Sequence, residues 1–269
     1  MMEGHDLTDS RPAARVNQSA RLTTMLGLLD ERPYWSVAEL AARFDVSEET
    51  IRRDVRQLEQ AGHVQKTHGG VSLPTSLIEA PYRVRVRDGA AAKQRIARAA
   101  MALIEPGMTI LLDSGSTTFW LARALAGMKD LTIVTNSVEI AHETLGRPGQ
   151  RLYLAGGSVN PDYHAAFGPE PIAYCRRFAP DVTVLSMGAI EGARGFLDFD
   201  IDEATFKRSL LDPARRVMVL ADGSKFERSA PFQVAGYGEV DDLVTDAAPP
   251  AAVAEAARSA GTRVHVAAG

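Results

Sequence analysis

Between Gln18 and Asp30 the apolar positions Leu22, Met25, Leu26 and Leu29 recur at intervals of three and four. That period places them on one face of a helix, which Pro33 closes. Ser36 offers its hydroxyl as an N-cap to a second helix, 37–44, with Val37, Leu40 and Ala41 facing inward. The turn Asp45-Val46-Ser47 leads into a third helix, 48–61, capped by Ser47 and ended at Gly62. The period then changes to alternation across 63–71, around Gly69-Gly70, and predicts a two-stranded hairpin. Three helices and a hairpin in this order predict a winged helix-turn-helix over 17–73, preceded by a polar, aperiodic tail, 1–16. Tyr34 and Trp35 are expected to seal its small core.

From residue 93 helix and strand alternate. A helix runs to about Ile104 and stops at Pro106-Gly107. Short β-rich runs follow at 109–112, 131–135, 152–155, 182–186, 217–220, 243–245 and 263–266, with helical stretches at 117–126, 138–145, 203–211 and 251–260. The expected fold class is therefore α/β: a mainly parallel sheet, covered on both faces, over 93–269. Between the two domains lies a linker, 74–92. The stretch 81–98 carries Arg83, Arg85, Arg87, Lys93, Arg95 and Arg98 against Asp88 alone, which reads as a solvated connector.

The 269 residues are 45% hydrophobic and 24% charged, which excludes a disordered or membrane-spanning chain. No run reaches the roughly 18 apolar residues of a membrane span. The first residues lack an apolar signal segment and Cys175 is the one cysteine, so a cytoplasmic protein without membrane partners is expected. Thirty basic against thirty-four acidic residues, net -4, excludes coating of nucleic acid by bulk charge and leaves room for a local basic surface.

Such a surface lies on the third helix. With Ile51, Val55 and Leu58 facing inward, Glu49, Arg53 and Arg56 face outward, with Thr50, Arg52 and Gln57 on the flanks. Guanidinium forks reach guanine O6 and N7, and a glutamine amide pairs with adenine. A solvated helix face has the same composition. Ser47, at the start of that helix, and Lys66 and His68, on the hairpin, complete the candidate DNA-contacting set.

In open parallel sheets ligands bind beyond the carboxyl ends of the strands. There this chain places Asp113-Ser114-Gly115-Ser116-Thr117-Thr118, Asn136-Ser137, Gly156-Gly157, Gly188, Asp222-Gly223-Ser224-Lys225 and Asp246. The 113–118 loop opens a helix with a glycine and several hydroxyls, which suits a phosphate; such a turn is more often an ordinary capped loop, and this one lacks the Gly-Lys-Ser/Thr of a nucleotide loop. Asp222 and Lys225 either bind a polyol hydroxyl and an anion or pair with each other.

The run Val46-Ser47-Glu48-Glu49-Thr50-Ile51-Arg52-Arg53-Asp54-Val55-Arg56-Gln57-Leu58-Glu59, followed by Gly62 and Thr67-His68-Gly69-Gly70, closely resembles the DNA-binding signature of the DeoR family of bacterial transcription regulators. The C-terminal half resembles that family's effector domain at Lys93, the 113–118 loop, Val134-Thr135-Asn136-Ser137, Gly156-Gly157, Glu203 with Lys207, Asp222-Gly223-Ser224-Lys225-Phe226 and Thr245-Asp246. The resemblance implies a repressor of a carbohydrate or polyol operon that binds double-stranded operator DNA. It also implies an effector domain related in fold to ribose-5-phosphate isomerase, which takes a phosphorylated sugar or polyol. The phosphate would lie at Ser114, Gly115, Ser116, Thr117 and Thr118, beside Asp113, with Lys93, Asn136, Glu203, Lys207, Asp222 and Lys225 around the same pocket. A homo-oligomer, dimer or tetramer, is expected because paired half-sites multiply affinity.

Residues 195–203, continued by Lys207-Arg208 and 245–250, look more like the glycerol-3-phosphate regulon repressors than the deoxyribose or lactose branches. A three-carbon phosphate is thus the leading effector, with Asp198, Asp200 or Asp222 accepting from its hydroxyls. The departure is Ser114-Gly115-Ser116, where that branch has an apolar residue and glycine, and it leaves a hexose or pentitol phosphate open.

The alternative is a sugar-phosphate isomerase fused to a DNA-binding head. Such chemistry needs a carboxylate base and an electrophile, which Glu203 and Lys207 could supply unless they form a surface ion pair. The isomerases carry a Gly-Ala-Asp-Glu-like stretch where this chain has Gly188-Ala189-Ile190-Glu191, and Phe199-Asp200-Ile201-Asp202 stands near the place of their glycine-rich segment. No catalytic residues are therefore expected. The six histidines form no His-x-x-x-His pair and Cys175 is alone, so neither a metal nor another cofactor is expected.

Overall fold

Helix α1 (Gln18–Glu31) buries Met25, Leu28 and Leu29 against α2 (Val37–Phe44) and α3 (Glu48–Gln60). The stripe is rotated slightly from the expected one, with Leu22 and Leu26 only partly covered. These elements come from a computed structural model that describes residues 18–32, 34–60, 63–67, 69–72, 79 and 81–268. The chain divides into two compact units, 1–76 and 77–269. Pro33, Gly62, His68 and the expected tail lie outside the described residues.

Helix α2 begins at a reciprocal cap: Ser36 Oγ accepts from Glu39 N at 3.1 Å, and the Glu39 carboxylate accepts from Ser36 N at 2.9 Å. The hydrophobic pattern misses a strand, β1 (Tyr34–Ser36), which pairs with β3 (Gly70–Ser72) beside β2 (Gln65–Thr67). A Cβ on Gly70 would lie 2.5 Å from the Trp35 carbonyl oxygen, so only glycine fits against that strand. Trp35 seals the core as expected, donating from Nε1 to the Leu28 carbonyl at 3.0 Å. The inner face of α3 also carries a charge: Asp54 is buried and accepts from Arg21 Nε at 2.5 Å and Gln18 Nε2 at 2.9 Å.

The second unit corrects the reading of 81–98 as a solvated connector. Helices α4 (Tyr82–Arg87) and α5 (Ala90–Met101) occupy it, with Tyr82, Arg85 and Lys93 buried. Tyr82 and Arg85 stand three apart and share the inner face of α4, whereas Arg83 and Arg87 are exposed. A count of charges is blind to that spacing.

There follow β4 (Thr109–Leu112), α6 (Ser116–Ala124), β5 (Leu131–Thr135), α7 (Val138–Thr144), β6 (Gln150–Leu154), β7 (Val159–Asn160), β8 (Ala165–Ala166), α8 (Pro169–Cys175) and β9 (Val182–Ser186). The chain continues through β10 (Ala189–Glu191), β11 (Gly195–Asp198), α9 (Ile201–Ser209), β12 (Val217–Leu220), β13 (Phe232–Ala235), β14 (Asp242–Thr245), α10 (Ala251–Ala260) and β15 (Arg263–Val266). Seven strands form a parallel sheet in the order β15-β14-β12-β9-β4-β5-β6, and all seven correspond to the expected β-rich runs.

The period of two sorts the core. Ile110, Leu112, Val182, Val184, Met218 and Leu220 pack with α5 and α6 on one face. Leu111, Leu185, Val217 and Val219 face the other, with Phe196, Phe206, Cys175 and Val253. On that second face lies an antiparallel sheet, β10-β11-β13, that the pattern did not predict. From β4 the chain proceeds to β5 and β6 on one side; β9, β12, β14 and β15 lie on the other. The carboxyl ends of β4 and β9 therefore flank a topological switch point, where such sheets open a crevice.

Candidate functional site

In the first unit, α3 buries Ile51, Val55 and Leu58 and exposes Glu49, Arg52, Arg53, Arg56 and Gln57, with Thr50 half-buried. Ser47 Oγ accepts from Thr50 N at 3.2 Å and so closes the first turn. Arg52 pairs with Glu48 at 2.7 Å, and the Gln57 side chain accepts from Gln18 at 3.1 Å. Arg53 and Arg56 have no ion pair among the described residues. Their guanidinium groups are available to bases or phosphates. Lys66 is exposed on β2; His68 lies outside the described residues.

In the second unit the switch point is organised by Asp113. Its Oδ1 accepts from Gly115 N at 3.0 Å and Thr118 Oγ1 at 2.6 Å, and its Oδ2 from Ser186 N at 2.8 Å. Both oxygens are thus engaged in holding the loop, leaving Asp113 and Thr118 as its frame. A Cβ on Gly115 would lie 1.4 Å from Ser186 Oγ, so glycine is what lets the loop cross the end of β9. Helix α6 then starts with no side-chain cap, and Ser114 Oγ is buried without a hydrogen-bond partner. The first turn of α6 thus has no side-chain cap, although the Asp113 carboxylate accepts from its N-cap amide, Gly115 N.

Lys207, on α9, projects its ammonium into the same place. It lies 2.7 Å from Asp198, 2.8 Å from Glu203 and 3.3 Å from Asp113, and donates to the Ser186 carbonyl at 2.7 Å. Burial disfavours its charge, but the three carboxylates outweigh burial and hold its pKa well above the ordinary lysine value. Burial pushes Asp198 and Glu203 up, and Lys207 offsets only part of that. Glu203 Oε2 has no hydrogen-bond partner. The Glu203–Lys207 pair is formed, but it is buried rather than at the surface, because its face of α9 is turned inward. Asp200 caps α9 by accepting from Asp202 N and Glu203 N, both at 2.9 Å.

The remaining charges were only partly anticipated. Lys225 does not pair with Asp222: its Nζ lies 3.5 Å from Glu79, whose other oxygen lies 3.0 Å from Arg85 Nη1. Asp222 instead accepts from Ser224 N at 3.1 Å and shapes the turn that carries Lys225. Burial would push the Glu79 carboxyl up, but Arg85, Lys225, Arg228 and Lys207 outweigh it and hold its pKa at about 2. Lys93 Nζ donates to the carbonyls of Arg85 at 2.5 Å and Asp88 at 2.8 Å, at the end of α4, and burial lowers its pKa to about 8. Asn136 Nδ2 donates to the Ala166 carbonyl at 2.9 Å, and its buried Oδ1 has no partner.

The structure thus brings Ser116, Thr117, Asp198, Glu203, Lys207 and Lys225 together with Glu79, Arg85, Ser186 and Met187 around one cavity of about 10 Å³. That is room for a single water, against roughly 300–1,000 Å³ in small-molecule sites. Glu79 and Arg85 escaped the sequence reading; the spacing of Tyr82 and Arg85 was their available signal. Carboxylate oxygens of Glu79, Asp198 and Glu203 lie within 4.8 Å of one another, but the Lys207 ammonium already fills the cation position beside two of them. Three cationic side chains, three hydroxyls and a helix N-terminus converge on it with three carboxylates, so an anion is favoured at the Arg85–Lys225 end, where Glu79 now sits, and not beside Asp198 and Glu203.

A DNA-reading head joined to an α/β domain with such a pocket is the architecture of a transcription regulator with its own sensor. The chain belongs to the DeoR family, since residues 21–77 match the DeoR-like helix-turn-helix domain and residues 89–247 the DeoR C terminal sensor domain. The HTH-type transcriptional repressor CsqR of Escherichia coli K12 is 33% identical over 229 residues, covering 85% of this chain and 88% of its own length. The glycerol-3-phosphate regulon repressor of the same strain is 32% identical over 238 residues, covering 88% and 94%. Among solved structures, ribose 5-phosphate isomerase A from Methanocaldococcus jannaschii is similar at a TM-score of 0.39 and 17% identity, over 52% of this chain and 55% of that one. Among the described residues no helix is long and apolar enough to cross a membrane.

Proposed function

We propose that this chain represses a carbohydrate or polyol operon in the cytoplasm and is released from double-stranded operator DNA by a phosphorylated sugar or polyol. The observation that carries the sensor half is the convergence of Arg85, Lys225 and Lys207 on the uncapped start of α6. A phosphate gains a charge-assisted hydrogen bond from each of these groups, whereas a neutral sugar gains only weaker ones. Arg85, Lys225, Ser116 and Thr117 hold the phosphate, while Asp198 and Glu203 face the hydroxyls. In the head, Arg53 and Arg56 read or grip the duplex, with Lys66 on the wing. Two copies on paired half-sites supply the affinity that one small head lacks.

Glycerol-3-phosphate is the leading effector, supported by the resemblance over 195–203 and by the relative named for that regulon. Calorimetry on the purified protein tests it: saturable binding of glycerol-3-phosphate and none of glycerol is expected. Tighter binding of a six-carbon phosphate would move the assignment to a hexose phosphate. Against the isomerase reading, Glu203 and Lys207 engage each other, and Glu191 pairs with Arg194 at 3.4 Å outside the cavity. Turnover of ribose 5-phosphate by the purified protein would revive that reading.

A further inference from the structure

We infer that the chain carries its own occupant in this pocket: the Glu79 carboxylate holds the position that the effector's phosphate takes, and the phosphate binds by displacing it. This rests on the pocket's being the effector site and concerns how that site is regulated.

Glu79 lies outside every helix and strand, in the stretch between β3 and α4, yet its side chain is only 5% exposed. It is held by Arg85 at 3.0 Å and Lys225 at 3.5 Å, beside Ser116 and Thr117 at the start of α6. These are the groups a phosphate monoester would use. Arg85 comes from α4 and Lys225 from the turn after β12, so two separate elements converge on one carboxylate. Among the described residues Lys225 has no other ion pair.

With Glu79 in place the cavity holds about one water, so no phosphate ester enters until a wall group leaves. Asp198 and Glu203 are tied to Lys207, which is tied in turn to Asp113 and the Ser186 carbonyl. Among the described residues the direct ion pairs of Glu79 are with Arg85 and Lys225, the two cations that an arriving dianion would itself engage. The exchange leaves both cations paired, and no bare charge is buried at either end of it. Glu79 is ionised at neutral pH, held so by Arg85, Lys225, Arg228 and Lys207 against the cost of burial, and it is therefore a genuine competing anion.

The pocket's apparent affinity for a phosphate ester is accordingly its intrinsic affinity reduced by the fraction of time Glu79 is out. Effector binding and docking of residue 79 become mutually exclusive.

The test is calorimetric titration of the full-length protein and its Glu79→Gln and Glu79→Ala variants with inorganic phosphate and with glycerol-3-phosphate, thermal unfolding serving to confirm that each is folded. Both variants should bind the same anions about tenfold tighter or more, because the self-occupied state is gone. Adding Lys225→Ala to Glu79→Gln should abolish that gain. Unchanged or weaker binding by the folded variants, with binding by the wild type, overturns the inference and leaves the pocket's assignment standing. Absence of binding by the wild type and both variants overturns the assignment itself.

Discussion

At the scale of single residues, Lys225 and Asp222 differ in what engages them. The lysine's ammonium faces Glu79 across the cavity, whereas Asp222, three positions earlier, is consumed by its own turn. Lys225→Ala should remove release by effector, measured as a flat effector response in an operator mobility shift. Asp222→Ala should weaken the same response by misplacing Lys225. Normal release by both would remove them from the site. Lys93 carries a different prediction, because burial lowers its pKa from 10.5 to about 8. Between those values the unfolded chain holds a proton that the folded chain has given up. Stability should therefore rise with pH across that window, with a slope approaching about 1.4 kcal/mol per pH unit for one proton. Denaturant unfolding of wild type and Lys93→Met from pH 7.5 to 10.5 checks it: the difference between the two curves should move in the lysine's favour as pH rises. A constant difference would contradict the buried, proton-shedding lysine.

Residue identity alone did not separate such roles. Asp113, Asp200 and Asp222 all read as contacts for a ligand, and all three are spent on backbone amides or neighbouring hydroxyls. An aspartate at a strand end serves a loop and a ligand equally well in sequence, and only the geometry of nearby N–H groups decides.

Among elements, those whose pattern answers to one neighbour were legible and those answering to a remote one were not. The five inner strands of the parallel sheet are short apolar runs whose burial is what the eye reads, whereas the edge strands β6 and β15 are half-buried to exposed along their length. By contrast, β10, β11 and β13 pair with each other across α9 and β12, and β1 owes its existence to β3. Their signals lie in distant segments. Helix α4 was hidden by its charge, since a buried arginine inside a basic run looks like solvated chain. Helix α3 was read with its inner face intact, apart from Asp54. Arg53→Ala should weaken specific operator binding by about 1–3 kcal/mol if its fork reads a base edge, with little effect on non-specific DNA. Arg56→Ala should instead lower affinity evenly across sequences and flatten the salt dependence. Fluorescence anisotropy on specific and random duplexes at several salt concentrations separates the two. Unchanged operator affinity in folded Arg53→Ala would mean that another face of the head meets DNA.

For the whole molecule, a ligand shifts a regulator only by the difference in its affinity for the two states. The pocket supplies such a difference if Glu79 and the phosphate exclude one another, because residue 79 belongs to the second unit, close in sequence to its boundary with the first. On that account Glu79→Gln, without effector, should bind operator more weakly than the wild type, toward the affinity of the effector-bound protein. The same mobility-shift assay reads it, and full operator affinity in the variant would place the coupling elsewhere. The measurement that bears most directly on the central claim is anisotropy of a labelled fragment of the gene's own upstream region, titrated with full-length protein in buffer, in glycerol and in glycerol-3-phosphate. The account predicts tight binding in the first two and a shift to higher protein concentration with the phosphate ester. Release by glycerol alone, or no shift with glycerol-3-phosphate or any other phosphorylated sugar or polyol, would contradict it.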